Sequence, residues 1–203
     1  MGSVNGNARF SFGAPRTVRR MNRPSRYTRT AIALHGGLAL AIVATFSLGV
    51  YMHELPDTPQ RNQLFDWHKW AGACILALSA LRLLWRLTHR PPADVAMPPW
   101  QARAARGVHG LMYLLFFSVP LSGWAYSSAS SHPLVLFGVL ALPDFVPVDK
   151  ALAEAAKGLH NLLGSALAIL VIGHVAAALK HHFVDRDGLL ARMAWRQTSG
   201  KAP

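Results

Sequence analysis

The chain has 203 residues, of which 52% are hydrophobic and 15% charged, whereas a soluble chain typically carries roughly 25% charged residues. Too few charged side chains remain to cover a soluble protein of this size, so the composition excludes an ordinary soluble domain. The 21 Lys and Arg residues nevertheless outnumber the 9 Asp and Glu residues. A basic but apolar chain indicates a membrane protein with its basic segments on one side, and the apolar content argues against a nucleic-acid partner.

The N-terminal segment is strongly basic. Residues 1–29 contain seven arginines and no acidic residue, and Gly, Ser, Asn and Pro fill the gaps, which predicts a disordered basic arm. No small-residue cleavage site follows the first apolar stretch, so we interpret that stretch as a retained helix rather than a signal peptide. The single cysteine, Cys74, excludes an internal disulfide and a covalent CxxCH haem attachment.

Four apolar stretches follow the arm, and each is long enough to cross the hydrocarbon core, which needs about 20 residues. They cover about residues 30–52, 65–87, 104–126 and 155–183. Residues 133–147 are also apolar, but the segment is short and contains three prolines, so we expect an interfacial loop rather than a fifth helix. The predicted fold is an all-α, integral membrane four-helix bundle over residues 30–183, followed by a basic tail at residues 184–203.

The distribution of basic residues predicts the orientation of this bundle. Seventeen Lys and Arg residues fall on the side that holds both termini and the loop between the second and third helices, and four fall on the other side. Cytoplasmic loops of membrane proteins carry the excess of basic residues. We therefore expect both termini in the cytoplasm.

The ten histidines are unusual in so apolar a chain. Ionisable residues inside membrane helices are costly and are therefore functional candidates. Five of the histidines lie within the predicted helices and away from their extreme ends: His35, His68, His109, His160 and His174. His160 and His174 share the fourth helix, and their spacing puts them about 40° apart on one face and roughly 21 Å apart along the axis. One helix thus offers an imidazole to each of two sites stacked across the membrane.

Each site needs a second imidazole at the same depth. His68 and His160 lie equally early in helices that start on the outer side, so they match. His174 lies at inner depth, where both His35 and His109 are available, and depth alone does not separate these two. Because neutral imidazole is a common haem-iron ligand, the pattern predicts two bis-histidine haems. Zinc is a weaker alternative, since it favours tetrahedral clusters with thiolate or carboxylate.

Several stretches of the chain resemble the bacterial cytochrome b561 family, which comprises small four-helix inner-membrane proteins that carry two b-type haems. The resemblance covers about residues 26–195. It rests on YTRTAIALHGGL at 27–38, FDWHKWAG at 65–72, LRLLWRL at 81–87, VHGLMYLLFFSVPLSG at 108–123, KGLHNLLG at 157–164 and GHVAAALKHHF at 173–183. One departure is Gly36, because helix 1 in this family often has Trp after the histidine.

The resemblance implies which histidines pair. His35 and His174 would hold an inner haem, and His68 and His160 would hold an outer one. His109 would then lie near a propionate or a quinone, or form an interhelical hydrogen bond. The resemblance also implies a multi-pass protein of the bacterial inner membrane that exchanges electrons with ubiquinone, and the family includes members with superoxide:ubiquinone oxidoreductase activity.

Bis-histidine ligation leaves the iron no open site, so the expected chemistry is one-electron transfer. Together with the resemblance, this implies transfer between ubiquinone and a small periplasmic partner, with superoxide as one candidate. Arg82 and Arg86 share a face at the inner end of the second helix, where they would meet haem propionates or lipid phosphates. His181 would stand beside the quinone or form a polar cap. Lys69 and Lys157 flank the outer pair, where they would neutralise propionates or attract an anion.

Two other function classes remain open from the sequence. One is a cytochrome b subunit that anchors a larger respiratory dehydrogenase or hydrogenase, which the short outer loops disfavour. The other is a membrane protein without redox chemistry, such as a transporter or an assembly factor. A visible spectrum separates this last class from the first two.

Overall fold

The computed structural model describes residues 26–93 and 95–195. The elements are α1 (Arg29–His53), α2 (Pro59–Thr88), α3 (Pro99–Ala129), β1 (Val135–Leu136), β2 (Leu140–Ala141) and α4 (Lys150–Lys180), followed by a π-helical turn (His181–Asp185) and a 3-10 turn (Leu190–Met193). The four long helices are each long and apolar enough to cross a membrane. The predicted all-α membrane four-helix bundle is therefore confirmed.

Three helices begin several residues before the apolar stretches do. α2 begins at Pro59, with Thr58 as its N-cap, whereas the second apolar stretch begins at residue 65. Asp149 caps α4 by accepting a hydrogen bond from the Leu152 N–H at 2.7 Å. These polar first turns continue the helices beyond the hydrocarbon core, since capping residues and not hydropathy determine where a helix begins. The apolar pattern therefore predicts the spans well and their ends less well.

The core of the bundle is an apolar cluster halfway along the helices. Its buried members are Leu38, Ile42, Ile75, Met112, Leu115, Phe116 and Leu167. Leu167 lies seven residues from both His160 and His174, so the cluster separates the two histidine levels of α4. Large apolar side chains such as Leu40 and Ile172, which are 72% and 69% exposed, face outward, as suits helices surrounded by lipid.

Residues 133–147, at the outer end of the bundle, form no helix. β1 and β2 pair as an antiparallel hairpin. Trp70 of α2 holds this hairpin, because its indole N–H donates a 2.7 Å hydrogen bond to the Val135 carbonyl. The Phe137 ring lies 5.4 Å from the Trp70 ring, centroid to centroid. The segment thus covers the outer end of α2.

The two ends of the described chain meet at the inner end of the bundle. The Tyr27 N–H donates to the Arg192 carbonyl at 3.3 Å, and the Arg192 guanidinium donates to the Ala93 carbonyl. Both ends of the described chain therefore lie at the same end of the bundle. Much of the predicted arm and tail, residues 1–25 and 196–203, lies outside the described residues.

Candidate functional site

The outer histidine pair consists of His68 on α2 and His160 on α4. Their ring centroids are 6.0 Å apart, and the ring planes are nearly perpendicular, at 83°. His160 Nδ1 lies 2.9 Å from the Val119 carbonyl oxygen, so this nitrogen carries the proton and donates. His68 Nδ1 is buried and has no hydrogen-bond partner among the described residues, although the Thr45 backbone lies beside the ring.

An open apolar cleft of about 220 Å³ adjoins this outer pair. Side chains of all four helices line it, among them Ile42, Phe116 and Leu167. Gly72 and Gly164 also line it, and a Cβ at either position would meet no atom within 4 Å. These are the glycines that follow His68 and His160 by one turn, so each histidine has open space beside it on its own helix.

The inner cluster contains three histidines. The ring of His174 on α4 lies 6.2 Å from the ring of His35 on α1, at an interplanar angle of 73°. The ring of His109 on α3 lies 5.4 Å from the ring of His174, at 67°. The structure therefore brings together all three histidines that the sequence places at inner depth, and His174 faces both of the others.

Arg82 contacts the inner cluster directly. Its Nη2 lies 3.1 Å from His35 Nδ1. Because a guanidinium has donors only, Nδ1 accepts this bond and the proton of the neutral imidazole sits on Nε2. The guanidinium carbons of Arg82 and Arg86 lie 5.2 Å and 5.9 Å from the centre of the Tyr113 ring. Tyr113 was not predicted as a site residue from the sequence, although it lies one turn after His109 on the same face of α3.

His181 is held by acidic residues that follow α4. Its Nδ1 lies 2.6 Å from Asp187 Oδ2 and 3.3 Å from Asp185 Oδ2. Desolvation acts to raise the pKa of the Asp187 carboxyl, but the Leu189 N–H, the His181 imidazole and Arg192 outweigh it and hold that pKa below its usual value. Asp187 therefore stays ionised at neutral pH and keeps the His181 ring in one orientation.

The two lysines beside the outer pair differ in their surroundings. Lys69 Nζ lies 2.8 Å from Asp66 Oδ1, and the lysine side chain is only 22% exposed. Lys157 is exposed, one turn before His160 on α4. The charge of Lys69 is thus offset by a carboxylate, which the i, i+3 spacing of Asp66 and Lys69 already indicates in the sequence.

The geometry of both pairs fits an ion held between two imidazoles. Such an ion lies about 2 Å from each nitrogen, which puts the ring centroids roughly 6 Å apart. The observed separations are 6.0 Å for the outer pair and 6.2 Å for His35 and His174. At the outer pair, two imidazoles border an open apolar cleft. Among the described residues, neither pair belongs to a cluster with thiolate or carboxylate, which suits haem iron better than zinc.

Comparisons with known proteins agree with this chemistry. Residues 26–196 match the family model for prokaryotic cytochrome b561. Cytochrome b561 homolog 2 of Escherichia coli (strain K12) is 31% identical over 189 residues, which cover 88% of this chain and 96% of the relative. A probable superoxide oxidase CybB of Yersinia pestis is 34% identical over 170 residues, which cover 83% and 95%. Cytochrome b562 of Cereibacter sphaeroides is 26% identical over 179 residues, which cover 85% and 98%.

Proposed function

Because the chain belongs to the prokaryotic cytochrome b561 family, whose members are multi-pass membrane proteins that bind haem b, we propose that it is a di-haem cytochrome that carries single electrons across the bacterial inner membrane. The electrons pass between a periplasmic one-electron partner and ubiquinone. The observation that carries this proposal is the pair of facing imidazoles at each of two depths. The excess of basic residues on the side of both termini supports a cytoplasmic position for that side.

In this proposal, His68 and His160 bind the outer haem and His35 and His174 bind the inner one. Haem iron would supply one-electron chemistry there, and two imidazole ligands for each iron would disfavour oxygen binding. The near-equal centroid separations of 6.0 Å and 6.2 Å favour His35 over His109, whose ring lies only 5.4 Å from that of His174.

In this proposal, Arg82 would release His35 and act as a cation beside the inner haem. A metal at His35 Nε2 requires the imidazole proton to sit on Nδ1, where it would oppose the Arg82 N–H that now points there. The guanidinium would then turn away and, with Arg86, meet a carboxylate such as a haem propionate. Cationic groups near a haem favour its reduced form. An inner site with two arginines therefore favours electron flow from the outer face inward.

We propose superoxide as the periplasmic donor, in line with the relative from Yersinia pestis that is named a probable superoxide oxidase. Superoxide loses one electron and leaves as O₂. Two such electrons, together with two protons from the cytoplasmic side, convert ubiquinone to ubiquinol. Lys157, exposed and one turn outward from His160, would attract the anion to the outer haem.

The quinone would bind at the inner leaflet near His181. This imidazole lies two turns beyond His174, and the ionised Asp187 carboxylate orients it. A carboxylate in this position also stabilises the imidazolium, as in other His–Asp pairs. His181 would therefore pass a proton to the quinone oxygen and take another from the cytoplasm. His109 is a second candidate for contact with the quinone.

One experiment with two electron donors tests this assignment. Stopped-flow reduction of the haems is measured with superoxide and, separately, with a short-chain ubiquinol. Lys157→Gln should slow reduction by superoxide about tenfold at low ionic strength and less at high ionic strength, because salt screens the attraction. Lys69→Gln should have a smaller effect, since Asp66 already offsets its charge. His181→Ala should slow reduction by ubiquinol at least about tenfold through loss of the proton carrier.

Each variant serves as the control for the other. Lys157→Gln should leave the ubiquinol reaction unchanged, and His181→Ala should leave the superoxide reaction unchanged. Wild-type haems that superoxide does not reduce would remove superoxide from the proposal and leave a quinol-linked electron carrier. Unchanged ubiquinol kinetics in His181→Ala would remove His181 from the quinone site.

A further inference from the structure

Two glycines lie close to the outer histidines, each on a neighbouring helix. A Cβ at Gly49 of α1 would lie 3.0 Å from His68 Cε1, and a Cβ at Gly123 of α3 would lie 3.0 Å from His160 Cε1 and 3.1 Å from its Nδ1. A Cβ contact of this length is tighter than nine in ten real ones, so the imidazole would have to move by a few tenths of an ångström. Each imidazole therefore lies close against a backbone position where glycine gives it the most room.

The two histidines differ in what the neighbouring backbone offers them. Within α3, the Val119 carbonyl lies four residues before Gly123 and accepts the Nδ1–H of His160 at 2.9 Å. Within α1, the Thr45 backbone, four residues before Gly49, lies beside the His68 ring, but His68 Nδ1 has no hydrogen-bond partner among the described residues. The glycine thus opens the approach of the ring to the backbone on both helices and, at His160, to a carbonyl that accepts its proton.

The inner histidines are supported differently. A Cβ at Gly36 or Gly37, which follow His35, would meet nothing within 4 Å. The Nδ1 of His35 is held by the Arg82 guanidinium and not by a backbone carbonyl. Close contact between a glycine and an imidazole is therefore a feature of the outer pair in the described part of the chain.

A backbone carbonyl that accepts Nδ1–H fixes the tautomer of a histidine and leaves Nε2 free to bind metal. It also raises the basicity of the ligand and holds the plane of the ring. We propose that Gly49 and Gly123 are positioning residues of the outer site, which set the near-perpendicular planes of His68 and His160 and, at His160, the tautomer. The proposal rests on the assignment of these histidines as haem ligands.

The expected consequence is a change confined to the outer haem. Gly123→Ala pushes the His160 ring away by a few tenths of an ångström, which weakens its hydrogen bond to the Val119 carbonyl. The ligand becomes less basic, which destabilises ferric iron and raises the potential of the outer haem. The change also alters the angle between the two imidazole planes, which the EPR spectrum of a low-spin ferric haem reports.

The test compares Gly49→Ala and Gly123→Ala with Gly107→Ala and Gly158→Ala in the purified full-length protein. The two control glycines are exposed helix positions of α3 and α4 where a Cβ meets nothing within 4 Å. EPR spectra, redox titrations and haem content are recorded. In the two test variants, we expect the outer haem's EPR signal to move and its reduction equilibrium to shift at least tenfold, or about 59 mV upward for one electron. The controls should match the wild type.

Retention of the inner haem shows that a variant has folded, so selective loss of the outer haem from Gly49→Ala or Gly123→Ala would also support the proposal. If the EPR signal and the potential of the outer haem were unchanged in both variants, the proposal would be overturned. Loss of both haems from both variants would overturn it as well, because the glycines would then serve helix packing in general. A wild-type protein that lacks two low-spin haem signals would refute the ligand assignment itself, before any glycine variant is made.

Discussion

His160→Ala should halve the haem content of the protein, from two haems per chain to one. The His160 ring faces His68 at 6.0 Å, and its Nδ1 is fixed by the Val119 carbonyl. Without it, His68 faces an open cleft with apolar walls, and one imidazole holds the iron far less tightly than two. Haem content by the pyridine haemochrome method, with the protein measured separately, gives the ratio.

His53→Ala is the matched control, because His53 lies at the outer end of α1 with its side chain 72% exposed. This variant should retain both haems. The remaining haem of His160→Ala should keep the potential and spectrum of one of the two wild-type haems, since the apolar cluster around Leu167 separates the two sites. Two haems in His160→Ala would contradict the assignment of the outer pair.

His35→Ala and His109→Ala should differ sharply, although both histidines face His174. The His35 ring lies 6.2 Å from that of His174, close to the spacing of the outer pair, whereas the His109 ring lies at 5.4 Å. We expect His35→Ala to lose the inner haem and His109→Ala to retain both haems with a shifted inner potential. Haem content and redox titration of the two variants, made in parallel, decide between the histidines.

Loss of a haem from His109→Ala, together with two haems in His35→Ala, would reverse the inner pairing. His35 would then become the neighbouring residue, still in contact with Arg82 at 3.1 Å. The outer site and the proposed path of electrons would be unaffected by this exchange.

The membrane spans were predictable from the sequence because the thickness of the bilayer sets the length of an apolar helix. The depth of the histidines followed from the same reasoning, since a helix rises a fixed distance per residue. His68 and His160, which the sequence places at one depth, do lie 6.0 Å apart. The ends of the helices were less predictable, because α2 begins where Thr58 caps it and not where the apolar stretch begins.

Contacts between distant parts of the chain could not be predicted from the sequence. Trp70 and the Val135 carbonyl are separated by 65 residues, and hydropathy carries no information about such a pair. The close approach of Gly123 to His160 depends on how α3 and α4 are rotated against each other, which the spacing of small residues alone leaves open. By contrast, the ion pair between Asp66 and Lys69 is local, and helical spacing would have revealed it.

The central claim, two b-type haems in one chain, is tested most directly by a reduced-minus-oxidised visible spectrum of the purified protein combined with haem quantification. We expect two non-covalent haem b per chain, with α-bands of low-spin, six-coordinate iron. The potentials should resolve into two components, with the higher one at the inner site near Arg82 and Arg86. A protein that contains no haem, or a single haem per chain under conditions of full loading, would contradict the proposed function.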